Sequence, residues 1–435
     1  MTTLAEVMLW GRRIGAVSLE EGATYAAFQY EPAFIGSGIQ LSPLMMPLST
    51  QVFTFPGLNT RSFHGLPGML ADSLPDKYGN ALIDAWLAAQ GRTADSFNAV
   101  ERLCYTGARG MGALEFLPTS GPRARTAQRL KIEALVELAS KVLTHRGDLH
   151  AAFAGDDTAA AVRDILKVGT SAGGARAKAV IAWNPESNEV RSGQIDAGDG
   201  FEHWLLKFDG VENNRDKELS DPQGYSAVEY AYSQMAGEAG INMAPCRLLE
   251  EGGRRHFMTR RFDRLPGGGK LHMQSLAAIA HFDFNNPSAY SYEQALLVMR
   301  QLGLPMGDLE EQFRRMAFNI IARNQDDHVK NIAFLMDQAG DWRLSPAFDI
   351  TWSYNPSGDW TSQHQMSMNG KRDGFTAEDF QACADAASLS RSRAAKIVLQ
   401  VGEAVRQWAR FADAAGVRPE WRGTIEASLR LDLAR

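Results

Sequence analysis

The segment Asn324-Gln325-Asp326-Asp327-His328-Val329-Lys330-Asn331 follows an apolar helical stretch made of Phe313, Met316, Ala317, Ile320 and Ile321. A carboxylate five residues ahead of an asparagine, on a polar loop after a buried helix, suits phosphoryl transfer. Asp326 would take or orient the proton of an acceptor hydroxyl, and Asn331 would hold magnesium. The spacing reads DxxxxN without the usual HRD prefix. A solvated loop whose polar residues cap a helix would have the same composition. Lys330 could place positive charge on the transferring group or form a salt bridge with Asp327. His328 directly after two acids invites a metal reading, but no other histidine lies at ligand spacing, so zinc is not expected.

A second acid adds to this. Asn331 opens the apolar run Ile332 to Met336, a turn with Asp337, Gly340 and Asp341 follows, and Trp342 to Phe348 leads back to Asp349. A hairpin of that length returns Asp349 close to Asn331. Asn and Asp oxygens are hard ligands, and two of them with nucleotide phosphates and water meet magnesium's octahedral demand. Seen in isolation, Asp349 would serve equally well as a cap or turn residue.

The loop from Gly169 through Ser171, Gly173, Gly174, Ala175, Arg176 and Ala177 to Lys178 is a third feature. Its glycines let the backbone approach phosphate oxygens, and successive amides can form an anion-binding concavity. It is not a Walker A loop, because Ala175 stands where the lysine should be. Nor does it fit GxGxxG, and a flexible surface loop would read the same way. Lys207, in the strand-like run His203 to Phe208, is placed to meet α- and β-phosphates, with Glu229 in the following helix able to hold it by an ion pair. Strand lysines also snorkel, and helical glutamates are mostly solvated. The order of the set distinguishes it: glycine loop, lysine, glutamate, DxxxxN, then aspartate.

Positioning these residues needs more than one packed region, and 435 residues exceed the ~250–300 that a single core usually supports. Residues 1–120 read as β-rich, with strands at Val7 to Trp10 and Thr24 to Tyr30 and Gly/Pro punctuation between short elements. Residues 121–262 hold a helix marked by Ile132, Leu135, Val136, Ala139, Val142 and Leu143, a second short helix from Ala159 to Lys167, and strands entered after the glycine loop, at Trp204 to Phe208 and at His256 to Phe262. A helix from Ser226 to Gly240 separates the last two. Residues 263–435 are mainly helical, interrupted by one β segment between about 331 and 349. The fold class expected is α+β and bilobal.

Net charge of −6, from 45 Lys+Arg against 51 Asp+Glu, argues against nucleic-acid binding through bulk electrostatics. Cys104, Cys246 and Cys383 lie far apart with no CxxC pair, which excludes a disulfide framework and a Cys-rich zinc site. The N-terminus lacks the apolar core of a signal peptide, and no apolar run approaches the ~18–20 residues needed to span a bilayer. A soluble cytoplasmic protein is expected.

Taken together these residues resemble the HipA family of bacterial serine/threonine kinases, the toxin components of type II toxin–antitoxin modules. Residues 66–79 (LPGMLADSLPDKYG) and 105–116 (YTGARGMGALEF) look like the family's N-terminal signatures. SAGGARAK, HWLLKFDG, TRRFDR, NQDDHVKN and LSPAFDI look like its nucleotide and catalytic segments, and residues 364–373 (HQMSMNGKRD) also have its look. The resemblance implies a bilobal protein-kinase-like fold using ATP and Mg²⁺, with Asp326 as catalytic base, Asn331 and Asp349 as metal ligands, and Lys207 on the phosphates. It implies further that Gly173 to Lys178 cover the phosphates, that Arg260, Arg261 and Phe262 form the adenine hinge, that His328, Asn331 and Phe348 complete the pocket, and that Ser171 is autophosphorylated. A phosphate there would repel ATP and switch the site off. The usual hinge reads ERFDR, and Arg260 stands here in place of the acid; backbone contacts to adenine survive that change, a carboxylate contact does not. Implied partners are a helix-turn-helix antitoxin that brings the DNA binding and a translation target such as an aminoacyl-tRNA synthetase. Nothing in the phosphate-handling residues specifies the acceptor, so a small-molecule or lipid kinase would use the same set. A catalytically inactive binding or repressor module is a further alternative. A metal phosphodiesterase built on Asp326, Asp327, His328 and Asp349 lacks the additional histidines such sites need.

Overall fold

The computed structural model describes residues 2–88, 90–121, 130–144, 176–194, 197–211 and 223–434. The expected helix at 159–167 and the loop residues Ser171, Gly173, Gly174 and Ala175 lie outside the described residues. Within them, thirteen strands form three antiparallel sheets.

The front sheet contains β1 (Thr3–Leu9), β2 (Arg12–Leu19), β3 (Ala27–Tyr30), β4 (Val52–Phe53) and β5 (Leu114–Leu117), in the order β4-β3-β2-β1-β5. Strand β1 alternates: Ala5, Val7 and Leu9 are buried while Glu6 and Met8 are less so, the period-two pattern of a sheet with one covered face. Trp10 turns the chain instead of extending β1. Trp10 and Gly11 both have positive φ (49° and 77°), as a two-residue hairpin matched to strand twist requires. The Trp10 indole is held there by donating to the Lys270 carbonyl at 2.7 Å.

Between β4 and β5, besides single-turn helices at Thr60–Phe63 and Gly68–Ala71, the chain forms the longer helices α1 (Lys77–Ala88) and α2 (Ala99–Thr106), where the sequence reading expected mainly strands and turns. Helix α1 is buried almost all round, so it shows no clean 3.6-residue stripe. Helix α2 did carry a readable start signal, an Asn98–Glu101 capping box. Helices α1 and α3 (Ile132–Thr144) cover the middle sheet, through Tyr78, Leu82, Ile132 and Leu135. That sheet joins β6 (Lys178–Trp183), β7 (Val190–Ser192), β8 (Glu202–Lys207), β9 (Cys246–Glu251) and β10 (Arg254–Arg260) in the order β7-β6-β8-β10-β9.

The remaining core is helical. It gathers α4 (Tyr225–Glu238), α5 (Tyr292–Gln301), α6 (Met306–Ile321), α7 (Ala377–Ala386), α8 (Arg391–Val405), α9 (Trp408–Ala415) and α10 (Pro419–Ser428) around residues such as Met235, Phe313, Ile320 and Val401. A small sheet orders β11 (His272–Ser275), β12 (Ala333–Met336) and β13 (Trp342–Leu344); β12 and β13 are the expected hairpin, and β11 was not anticipated.

Several further ties hold the front residues to the later part of the chain. Asp72 accepts from both the amide (2.7 Å) and the hydroxyl (2.9 Å) of Ser275. The Gly68 amide donates to His281 Nε2 at 3.0 Å, and a Cβ at Gly68 would meet the Ala278 carbonyl oxygen at 2.3 Å, so only glycine allows this approach. Asp263, fully buried, accepts from Gly112 N (2.7 Å), Arg261 and Arg264, whose guanidiniums also reach the Gly110 carbonyl. Burial alone would raise the Asp263 carboxyl, but the two arginines hold it well below the usual carboxylate range.

His281 and His256 share a constraint. Each accepts a backbone N–H, from Gly68 and Asp209 respectively, so each must be neutral in the fold. Burial lowers both from 6.5 to about 4, with Arg254 adding to the effect at His256. The unfolded chain takes up these protons below its ordinary histidine pKa while the folded chain refuses them, so stability is flat above about pH 6.5 and falls towards pH 4. Roughly 2 kcal/mol per histidine is expected to be lost between pH 7 and pH 5. Urea unfolding at the two pH values checks this: the midpoint drops at pH 5, and His256→Gln reduces the drop.

Candidate active site

Helix α6 delivers the chain into the loop at 323–331. Arg323 turns it with φ 58°, and its guanidinium is fixed by the Ser428 carbonyl (2.9 Å), Gln325 Oε1 (3.0 Å) and the Tyr354 ring. The Ser353 amide donates to the Arg323 carbonyl and the Gln325 amide to the Ser353 carbonyl, which staples the loop to the segment after Asp349.

The two adjacent aspartates do opposite things. Asp327 points inward, its carboxylate 1% exposed, and accepts from Tyr292 Oη (2.5 Å), His364 Nδ1 (2.7 Å) and the Gln365 amide (2.7 Å). Burial would raise its pKa; these three donors hold it below the ordinary value. Arg430 donates to His364 Nε2 at 2.9 Å, so the imidazole carries its proton on Nδ1 and gives it to Asp327. Asp326 faces outward with 28% of its side chain exposed. Its Oδ1 accepts from the Trp360 indole at 2.7 Å, with His328 Nε2 3.8 Å away.

Asn331, His328, Phe348 and Asp349 line one cleft together with Asp327 and Asn324. The Asn331 amide nitrogen donates to the Asp326 carbonyl at 2.8 Å, which orients the side chain and leaves its oxygen as the acceptor. Asp349 adopts φ 53°, a left-handed conformation costly for an aspartate and of the kind that clusters at functional sites. Its carboxylate pairs with Lys207, whose ammonium also contacts Glu229 Oε1 at 2.5 Å. Burial would raise the Asp349 pKa, but Lys207 above all pulls it down to about 2. Lys207 is itself raised: burial opposes its charge, and Asp349 and Glu229 more than compensate. Arg176 reaches Glu229 Oε2 at 3.2 Å and stacks over Tyr225.

Several expected residues sit differently from the simplest expectation. Lys178 lies directly across from Lys207 in the β6–β8 register, so both lysines share a face of the sheet, and its ammonium pairs with buried Asp76 at 3.1 Å. Lys330 does not pair with Asp327; its ammonium lies 4.7 Å above the Phe284 ring. The Arg261 side chain is spent on Asp263, and exposed Arg260 reaches Glu202 at 3.3 Å. The amides of Arg260 and Arg261 already donate to the Pro245 and His203 carbonyls, so adenine would not find free donors there. Phe262 and Phe348 are brought together, ring centroids 5.7 Å apart. Ala177 is buried at the start of β6. Asp76, Tyr292, Trp360 and His364 escaped the sequence reading. Residues 364–373 had been singled out there without a role, and they supply His364 and Gln365.

No group of three or more His, Cys, Asp or Glu side chains gathers among the described residues, which does not favour a protein-only metal cage. The Asn331 oxygen and the Asp349 carboxylate fit magnesium, which takes few protein ligands and completes its shell with phosphate and water.

The aspartate pair makes a direct test. Asp327→Asn places an amide where three donors converge and is expected to cost about 3 kcal/mol or more in chemical denaturation. Asp326→Asn, partly exposed, should stay within about 1 kcal/mol of wild type.

Comparison with known proteins bears on the fold and the family. A model of the HipA-like C-terminal domain matches residues 170–409, and one of the HipA N-terminal domain matches residues 5–117. A sequence search among curated proteins finds no match. Among solved structures, the chain is similar to HipA of Shewanella oneidensis MR-1, determined with HipB and operator DNA, at 18% identity and a TM-score of 0.69, covering 99% of this chain and 96% of that one. The Helicobacter pylori proinflammatory kinase CtkA is also retrieved, at 10% identity and a TM-score of 0.41, over 60% of this chain and 92% of that one. Matches to both domain models and a fold shared along nearly the whole chain place this protein in the HipA family.

Proposed function

We propose that the chain is an ATP- and Mg²⁺-dependent serine/threonine protein kinase acting as the toxin of a type II toxin–antitoxin module. The observation that carries the reading is that Asn331 and Asp349 line one cleft, with outward-facing Asp326 on the same loop as Asn331 and the buried Lys207–Glu229 ion pair joined to Asp349. Metaphosphate-like transfer needs little covalent chemistry from a protein, so placed charges and a placed base are sufficient equipment.

Lys207, its ammonium held by Glu229, neutralises phosphate charge. Asn331 and Asp349 would hold magnesium, which when bound spreads the charge of the phosphates. Asp326 takes the acceptor hydroxyl's proton as that oxygen bonds to the γ-phosphorus and the bond to the ADP oxygen breaks. Phe262 and Phe348 offer apolar faces for a flat base. Lys207 has to release Asp349 for both to serve; a competing phosphate supplies the replacement partner.

The solved relative is a complex with HipB and operator DNA, which supports a HipB-like helix-turn-helix antitoxin as partner here, with DNA reached through it. The net charge of −6 suits that division. A translation component such as an aminoacyl-tRNA synthetase is the proposed target, and the cytoplasm the proposed location; no helix among the described residues is long and apolar enough to cross a membrane. Ser171 remains the proposed autophosphorylation site.

Phosphoproteomics after induction of wild type against Asp326→Asn tests the reading and names the target together. Wild type should arrest growth and mark a discrete protein, and Asp326→Asn should lose at least about 100-fold of the transfer while still binding nucleotide. Equal growth arrest by both would overturn it. Mass spectrometry of wild type incubated with ATP and magnesium should find phosphate on Ser171, and full turnover with Ser171 unmodified would remove that site.

A further inference from the structure

We infer that Trp360 is a positioning residue for Asp326: its indole N–H holds one carboxylate oxygen so that the other is presented to the acceptor hydroxyl. The inference rests on the phosphoryl-transfer reading above. An aspartate's terminal torsion is broad and nearly two-fold, so an outward-facing carboxylate has no intrinsic reason to keep one orientation. Asp326 has little else to fix it. His328 Nε2 lies 3.8 Å from the same oxygen, too far for a hydrogen bond, and the Asn331 amide goes to the Asp326 backbone carbonyl. The Trp360 contact at 2.7 Å therefore sets the carboxylate plane.

The backbone that carries the indole is itself held. The Gln365 side-chain amide donates to the Trp360 carbonyl, and Gln325 Nε2 donates to the next carbonyl, Thr361, at 3.2 Å. Gln365 is also the residue whose backbone amide caps Asp327 at 2.7 Å. One short stretch thus locates the buried aspartate and, through Trp360, orients the exposed one. A lid over the base would need a mobile attachment; this attachment is held at two successive carbonyls, which favours a brace.

The residue type fits the task. Indole donates one hydrogen bond and accepts none, so it cannot compete with Asp326 for the acceptor's proton. Lysine at this place would form an ion pair and weaken the base, and a hydroxyl could itself be taken for an acceptor.

The experiment measures transfer from labelled ATP to the protein acceptor identified by the induction experiment, using full-length wild type, Trp360→Phe, Trp360→His, Asp326→Asn and the Asp326→Asn/Trp360→Phe double variant. Phenylalanine keeps an aromatic ring and deletes the donor. Its kcat is expected to fall about 10-fold or more, the scale of one hydrogen bond to a charged group. KM for ATP and the unfolding midpoint should stay near wild type. Histidine, with a ring N–H, should recover part of the loss. In the Asp326→Asn background, Trp360→Phe should cause no further fall. A kcat for Trp360→Phe within two-fold of wild type overturns the inference. So does a lowered midpoint with kcat and KM worsening together, which marks a merely structural role, or an equal additional loss in the double variant. No transfer by wild type overturns the kinase reading as well, whereas transfer that needs Asp326 but ignores Trp360→Phe overturns this inference alone.

Discussion

The buried Asp327 carboxylate is the constraint on which the rest of the site depends. It takes hydrogen bonds from Tyr292 on α5, from His364 and from the Gln365 amide, and Arg430 near the end of the described chain fixes the far nitrogen of His364. A charge without water is tolerable only when its lone pairs are met, so the three segments that carry these donors are committed to one arrangement. Asp326 and Asn331 inherit their places from that commitment. The loop is irregular in backbone, yet it is among the most fully specified parts of the molecule.

Charge neutralisation organises the other wall of the cleft. Lys178 and Lys207 face one another across β6 and β8, a pairing of like charges that costs stability unless each is compensated. Asp76 compensates the first, and Glu229 with Asp349 the second. The ion pairs are therefore exchangeable parts: an incoming anion can replace a carboxylate at Lys207 without leaving a cation buried and alone. The front subdomain reaches into this wall through Asp76, so it contributes to the electrostatics of the cleft as well as to its support.

The placement of candidate residues was legible in the sequence where it depends on short spacing. Asp326 and Asn331 share one loop, and Asp349 is brought back by a hairpin whose turn residues are legible. The HipA-family assignment, resting on ordered motifs, agrees with the matched domain models. What was missed depends on contacts between distant positions: His364 meets Asp327 and Asp76 meets Lys178 only after folding, and no periodicity encodes either pairing. Lys330 was assigned by type and the hinge at Arg260 and Arg261 by family resemblance, but their partners, Phe284, Pro245 and His203, are set by tertiary packing. Helix α1 was hidden because a helix covered on nearly every side loses the amphipathic stripe that would announce it.

The clamp between Gly112 and Asp263 spans 151 residues of chain. During synthesis at ~5–20 residues per second, the amide at Gly112 is made on the order of ten seconds before the carboxylate that receives it. Asp72 and Asp76 likewise wait for Ser275 and Lys178. The cleft draws on positions from Asp76 to Gln365, so no early N-terminal portion of a growing chain can hold it. Assembly of the cleft is thereby a late event on the ribosome.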